Sequence, residues 1–367
     1  MQIAAVARRA SKVVQPRFSL LQFIAQGGST PPSYSSLGRG FSDGKSVSAS
    51  FCSVAVAADG DPVKELHDKI LESVKVKRSA PPNAWLWSIL EKCKSRDDIK
   101  LLFDALQQLR IFRLSNLRIH DNFNCSLCQE VTKACTRVGA LDFGKKALWR
   151  HNVYGLSPTI GSANQLLCYA KEKKDVRFMV DVMSHLKKND LPLQPATADI
   201  VFSICYDADN WELISKYAKR FVKAGVKLRK TTFDIWLDFS SRRGDLESLQ
   251  KIEKLRSNIY NRHTIKSGFA CCKGLLLERK PEEAATLLQN LAQNFPDSKR
   301  EDIIAELQKL VSEWPSEVIK HQNQEDRKAF ITSLKADIPD MIKSLSSMGV
   351  DSRIKLEDIN IAESLSC

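Results

Sequence analysis

Cys125-Ser126-Leu127-Cys128 has the spacing of half a zinc site, and Cys135, His120 and His151 lie nearby in the sequence. A structural zinc site needs four ligands converging on one point, yet none of the other cysteines forms a second Cys-x-x-Cys. The pair falls in the first turns of a helix-forming segment, where small apolar side chains pack. Buried free thiols are therefore the expectation, and Cys168, Cys205 and Cys271-Cys272 fit the same pattern. Two carboxylate pairs, Asp97-Asp98 and Glu282-Glu283, have the residue types for acid–base or metal chemistry. Each stands at or near a predicted helix start, where negative charge meets the positive end of the helix dipole. No histidine begins the His-x-Glu motif of zinc deaminases, and there is no Gly-rich phosphate loop or Gly-x-Ser-x-Gly elbow. No enzymatic activity, metal or cofactor is expected. What remains is positive charge: Lys171, Lys174, Lys187, Lys188, Lys219, Arg220, Lys223, Lys227 and Lys230. Cations gathered in this way suit a phosphate backbone. The alternative is the solvated face of any soluble helix.

The elements that carry these residues follow a repeat. Asp175, Asn210 and Asp245 lie 35 residues apart, each before an apolar residue (Val176, Trp211, Leu246). Asp and Asn cap helix N-termini because a short side-chain oxygen accepts a bond from an orphan backbone N–H. Gly155-Leu156, Asp190-Leu191 and Gly225-Val226 keep the same phase where such helices end, and Gly tolerates a left-handed C-terminal cap. Ser162-Ala163-Asn164, Thr197-Ala198-Asp199 and Thr232-Phe233-Asp234 fall where a preceding helix begins. Gly139-Ala140-Leu141 extends the register upstream and Arg279-Lys280-Pro281 extends it downstream. Each period thus holds two helices, and such a period means a solenoid. Five windows follow without gaps: 125–159, 160–194, 195–229, 230–264 and 265–299.

These segments resemble the pentatricopeptide-repeat family, whose 35-residue units are helical hairpins. The resemblance is carried by Ser162-Ala163-Asn164-Gln165-Leu166-Leu167 and Arg243-Gly244-Asp245-Leu246-Glu247. Lys223-Ala224-Gly225-Val226-Lys227-Leu228 and Gly155-Leu156-Ser157-Pro158 carry it at the repeat ends. It covers 125–299, although the Tyr common after the first Thr is Ala163, Ala198 or Phe233 here. A tetratricopeptide period of 34 residues would drift out of phase over five units. The fold implied is an all-α, right-handed solenoid of five in-register repeats with divergent terminal helices.

Flanking segments differ in composition. Residues 1–41 contain Arg8, Arg9, Lys12, Arg17 and Arg39 and no Asp or Glu. A basic, Ser-rich, acid-free start is the composition of an organelle transit peptide. Arg39-Gly40-Phe41-Ser42 resembles a mitochondrial processing site, which implies a mitochondrial matrix destination; a basic tail without a targeting role is the other reading. Residues 42–80 read as a disordered linker plus one short helix (Val63 to Lys77). Residues 81–124 read as a divergent hairpin, Trp85 to Cys93 and Ile99 to Leu109. Residues 300–367 read as a C-terminal cap: one helix stopped by Pro315, then Phe330 to Leu334 and Met341 to Leu345. Met348-Gly349-Val350 resembles one more repeat end. No apolar run approaches the roughly 20 residues of a membrane span. Charge is uneven: 133–230 has a net of +9 and 281–367 a net of −6.

The resemblance also implies a ligand. Family members hold single-stranded RNA on the concave face of first helices, reading one base per repeat with the fifth and last residues. Those positions are Gln129 with Thr159, Asn164 with Gln194, Asp199 with Arg229, Asp234 with Thr264, and Phe269 with Lys299. Only Asn164 fits the usual fifth-position preference, and no last position is the frequent Asp or Asn. Asp199 and Asp234 would set negative charge beside the RNA. The expectation is an RNA-binding scaffold of mitochondrial gene expression, within or beside the mitochondrial ribosome. Its acidic C-terminal region would meet proteins of that ribonucleoprotein. The alternatives are a freestanding sequence-specific factor for transcript processing, stability or editing, and a protein-only adaptor.

Overall fold

The computed structural model describes residues 61–116 and 120–349. Every regular element among them is helical. The first hairpin-like group is α1 (Pro62–Leu71, continued by a π turn to Val76), α2 (Asn83–Lys92) and α3 (Arg96–Leu114). Five hairpins follow. Their first helices are α4 (Cys125–Val138), α6 (Ile160–Glu172), α8 (Pro195–Asp207), α10 (Lys230–Arg243) and α12 (Ile265–Leu277). Their second helices are α5 (Leu141–Ala147), α7 (Val176–Lys188), α9 (Trp211–Lys223), α11 (Leu246–Ser257) and α13 (Pro281–Asn294). Both sets start at 35-residue intervals.

Local chemistry sets that interval. Each first helix ends in the same bond, from the backbone N–H five residues on. Ala140, Asp175, Asn210, Asp245 and Lys280 donate to the carbonyls of Cys135, Ala170, Cys205, Ser240 and Leu275, at 2.8 to 3.1 Å. This Schellman closure puts the intervening residue in the left-handed region. Gly139 and Gly244 occupy it freely, but so do Lys174 (φ 53°), Asp209 (φ 47°) and Arg279 (φ 63°). Asp175, Asn210 and Asp245 then cap the second helices, accepting at 2.9 Å from the N–H of Phe178, Leu213 and Ser248. A left-handed L-residue costs about 1–2 kcal/mol. Lys174→Gly is therefore expected to raise stability by up to about 1 kcal/mol, once the greater freedom of unfolded Gly is subtracted. Urea denaturation checks this, and a lowered midpoint counts against it.

First helices pack in one unbroken row, α4 on α6 on α8 on α10 on α12, whereas neighbouring second helices meet less closely. The tighter row lies on the inner side of the stack. Its core includes Ala163, Leu166, Leu167, Ala198, Val201, Phe202, Phe233 and Leu237. Second helices contribute Met179, Val182, Ile214, Phe221, Leu249 and Ile252. The apolar residue after each cap is not the core position. Val176, Trp211 and Leu246 are only half-buried, and the buried position lies three residues further on, at Leu249.

The C-terminal helices depart from expectation. α14 (Arg300–Ser312) starts in register but packs on the inner row, against α12. α14 ends at Ser312, just ahead of Pro315, and Pro315 then lies in the first turn of a new helix, α15 (Trp314–Lys320), which reaches back to α10. A first turn has no hydrogen bond for Pro to break. The two short helices expected from 330 and 341 are one, α16 (Gln324–Ser347), with Pro339 inside it. α16 lies along α13 and buries Leu334, Ile338, Met341, Ile342 and Leu345. No helix among the described residues is long and apolar enough to cross a membrane.

Candidate nucleic-acid interface

The third residue of each first helix from α6 onward is Ser162, Thr197, Thr232 or Ser267, and all four are fully buried. Buried hydroxyls need partners, and the fifth-position side chains of the preceding repeat supply them for two, Thr197 and Thr232. Asn164 accepts from the Thr197 hydroxyl at 2.8 Å. Asp199 accepts from Thr231 at 2.9 Å, from Thr232, and from Arg229 at 3.1 Å. Asp234 accepts from the Thr264 hydroxyl at 2.5 Å. The structure thus brings together two expected reading pairs, Asp199 with Arg229 and Asp234 with Thr264. It does so by bonding them to each other. Thr159 and Thr264 also cap α6 and α12, accepting from the N–H of Ser162 and Ser267. Gln194 stands exposed ahead of α8, and Gln129 is half-buried with its amide oxygen facing Gly161. Phe269 is core, and Lys299 pairs with Asp302 at 2.8 Å. Burial pushes the Asp234 carboxyl above its ordinary range, which opposes the picture of a free anion beside a ligand.

The inner face is also partly covered. α14 and α15 cross α12 and α10, bordering a half-open pocket of about 510 Å³ with Tyr206, Asp234, Asp238 and Lys273 on its inner-row side. Trp314 is fully buried there and its indole N–H donates to the Ser241 carbonyl at 2.9 Å. Glu317 meets Arg242 at 3.2 Å. Asp238 accepts from Tyr206 at 2.5 Å and from Lys273 at 3.0 Å. Burial pulls the Asp238 carboxyl upward, but Lys273 and the Tyr206 hydroxyl outweigh it and hold it low. Part of the C-terminal acidity is therefore spent inside the molecule, and Arg279 with Asp337 at 2.5 Å adds to this.

Cations divide between two edges. In an antiparallel hairpin the start of the first helix and the end of the second share one edge. Lys187, Lys188, Lys219 and Lys223 lie in the last turns of α7 and α9, with Lys227 just beyond, all exposed and without an ion pair among the described residues. The N-termini of α8 and α10 open on the same edge. Lys230 is there too, 5.5 Å from the Tyr260 ring centroid. Lys171 and Lys174 lie at the hairpin turn, on the opposite edge. Arg220 is not a free phosphate contact, because it is half-buried and donates to the Met183 carbonyl at 3.1 Å.

Other sequence candidates have structural occupations. Cys128 is buried and Cys125 exposed, so only one of the pair is the buried thiol expected. Burial pushes the Cys128 thiol up to about 11 and those of Cys93, Cys205 and Cys272 up to about 12. Asp98 closes a capping box with Ser95. Glu282 and Glu283 sit in the first turn of α13. Glu253, His263 and Cys271, which the sequence does not single out, hold ligand-type atoms within 4.8 Å of one another. Arg256 occupies that cluster, donating to both Glu253 oxygens at 2.7 Å and lying 3.3 Å from His263 Nε2. The guanidinium already supplies the positive charge a metal would bring. Arg39, Phe41 and Ser42 lie outside the described residues.

No protein-family model matches the chain, and no curated protein matches it. Among solved structures it is similar to the pentatricopeptide repeat protein PPR10 in complex with an 18-nt psaJ RNA element, at 14% identity and a TM-score of 0.42. That alignment covers 81% of this chain and 44% of the other. It is also similar to the pentatricopeptide repeat protein PPR10 from maize, at 10% identity and a TM-score of 0.39, covering 77% and 38%. The chain spans less than half the length of these structures.

Proposed function

We propose that the protein is a non-enzymatic, RNA-binding pentatricopeptide-like scaffold, a right-handed solenoid that holds RNA by charge rather than by a base code. One observation carries this reading: the exposed row Lys187, Lys188, Lys219, Lys223 and Lys227, without an ion pair among the described residues, on the edge where α8 and α10 begin. Cations there complement the C-terminal dipoles of α7 and α9, and helix N-termini on the same edge favour anions. The fifth-position acceptors are already bonded, Asn164 and Asp199 to the next repeat and Asp234 to Thr264, which favours a scaffold over a sequence-specific factor. The acid-free first 41 residues support mitochondrial import with removal near Ser42. A mitochondrial ribonucleoprotein, the ribosome foremost, is the setting proposed. Terminal sequencing of the organellar protein that recovers the segment before Arg17 rejects this import step.

The test uses the full chain with two unstructured RNAs of unrelated sequence. Similar affinities are expected, falling with salt at a log–log slope near −0.7 per phosphate contacted. Photo-cross-links should map to the Lys187–Lys227 edge. Strong preference for one RNA would instead mark a specificity factor. Absence of RNA binding at low salt, with partner proteins retained, would mark an adaptor. Co-sedimentation with a ribosomal subunit tests the setting.

A further inference from the structure

The stack has one irregular hairpin. α5 stops after 7 residues, whereas the other second helices run 12 to 14. The rest of that repeat, 148–159, is a non-helical connection. It is nevertheless firmly held. Asn152 is buried at its centre and makes four hydrogen bonds. Its amide donates to the carbonyls of Trp149 at 2.7 Å and Leu156 at 2.6 Å, and its oxygen accepts from Tyr154 and Leu156 N–H, each at 3.0 Å. Arg110 of α3 donates to the Asn152 carbonyl. Ser157 and Gly155 bond to Phe123, at 2.8 and 2.7 Å.

A connection fastened this well on its inside carries an unusual outer surface. Trp149 is 54% exposed. Arg150 and His151 beside it are exposed, as is Lys146 one turn before. Trp is a costly residue to leave in water, and an exposed one on a rigid support signals a ligand for its flat face. Position narrows the ligand. The Arg150 N–H donates to Asn189 at 2.9 Å, and the Arg150 guanidinium lies 3.7 Å from Asp190. Both partners immediately follow Lys187 and Lys188. The loop that carries the indole is therefore tied to one end of the cationic edge, with Arg150 next to it in the chain and Lys146, whose ammonium lies 4.5 Å from the Phe143 ring centroid, one turn before. An aromatic face interleaved with cations suits single-stranded nucleic acid, where bases stack and phosphates pair.

We propose that Trp149 is a stacking platform for one unpaired RNA base, with Arg150 and Lys146 at the adjoining phosphates. This rests on the RNA-scaffold reading. Trp149→Ala in the full chain is expected to weaken binding of a labelled 12-nucleotide oligouridine roughly ten-fold or more, the usual scale for a lost base–aromatic stack. Trp149→Phe should restore most of it. The salt slope should stay unchanged in both, since no phosphate contact is lost, whereas Arg150→Ala should flatten it. The thermal midpoint should hardly move. A photoreactive uridine should cross-link to Trp149 in the unmodified chain, a readout that needs no variant. If Trp149→Ala binds within two-fold of the parent and no cross-link reaches the loop, the platform is wrong while the scaffold stands. If the parent chain binds no RNA, both fall. Loss of a protein partner on Trp149→Ala, with RNA affinity intact, would reassign the surface to protein and overturn the proposal.

Discussion

Trp314→Ala is expected to destabilise the C-terminal half of the stack by about 3–5 kcal/mol, the range for removing a buried Trp. The indole is 1% exposed, between α14, α15 and the inner row. Its N–H also satisfies the Ser241 carbonyl at 2.9 Å. Losing that partner in a buried place costs a further ~1–3 kcal/mol unless water enters. The two losses overlap, so they are not summed. Trp314→Phe keeps much of the packing and loses the hydrogen bond, and a smaller loss is expected. Stability in a repeat stack is close to a sum of neighbouring interfaces. The effect should therefore appear as an early phase in urea denaturation, carried by α12 to α16, with the α4 to α9 hairpins melting later. Hydrogen exchange would assign that phase to segments. A loss below about 1 kcal/mol for Trp314→Ala would mean that α15 is not anchored on α10 as described.

The period was legible because its markers are local. A cap depends on one side chain and the next turn of backbone, so Asp175, Asn210 and Asp245 state it without reference to anything distant. Left-handed backbone was legible at the glycines, Gly139 and Gly244 at hairpin corners and Gly155 and Gly225 at repeat ends. Lys174, Asp209 and Arg279 adopt the same backbone because the Schellman bonds on either side over-determine it, and nothing in those side chains announces it. The candidate reading site was half legible. The hydroxyl column Ser162, Thr197, Thr232 was visible as a helix-start signal. That it takes up Asn164 and Asp199 depends on how one repeat docks on the next. The C-terminal fold-back was not legible. Leu307, Leu310 and Trp314 show a helical period, but a period does not say which partner an apolar face will cover. Pro315 and Pro339 carried opposite messages: one opens a helix in its first turn, the other sits inside a helix held along α13 by burial.

Replacing Lys188, Lys219, Lys223 and Lys227 together by Ala is expected to remove most RNA affinity near 0.1 M salt. Each single-strand phosphate contact contributes roughly 0.7 to the salt slope, so losing four flattens it by about 2.8. If the electrostatic term vanishes near 1 M salt, that change amounts to roughly 10²–10³-fold at 0.1 M. The loss should be alike for unrelated RNAs, because phosphate contacts carry no sequence information. The fold should survive, since all four side chains are exposed and without ion pairs among the described residues. Lost helix-dipole complementarity costs only a few tenths of a kcal/mol per site. Lys171→Ala with Lys174→Gly is the matched control. It removes two exposed cations from the opposite edge, so affinity should barely change. Equal losses from both sets would mean that the RNA crosses the stack rather than following one edge. Asn164→Ala separates the remaining alternative. Its carboxamide is bonded to Thr197 at 2.8 Å, so its removal should lower stability and leave base preference alone. A changed base preference would show that the inter-repeat bond opens to read RNA.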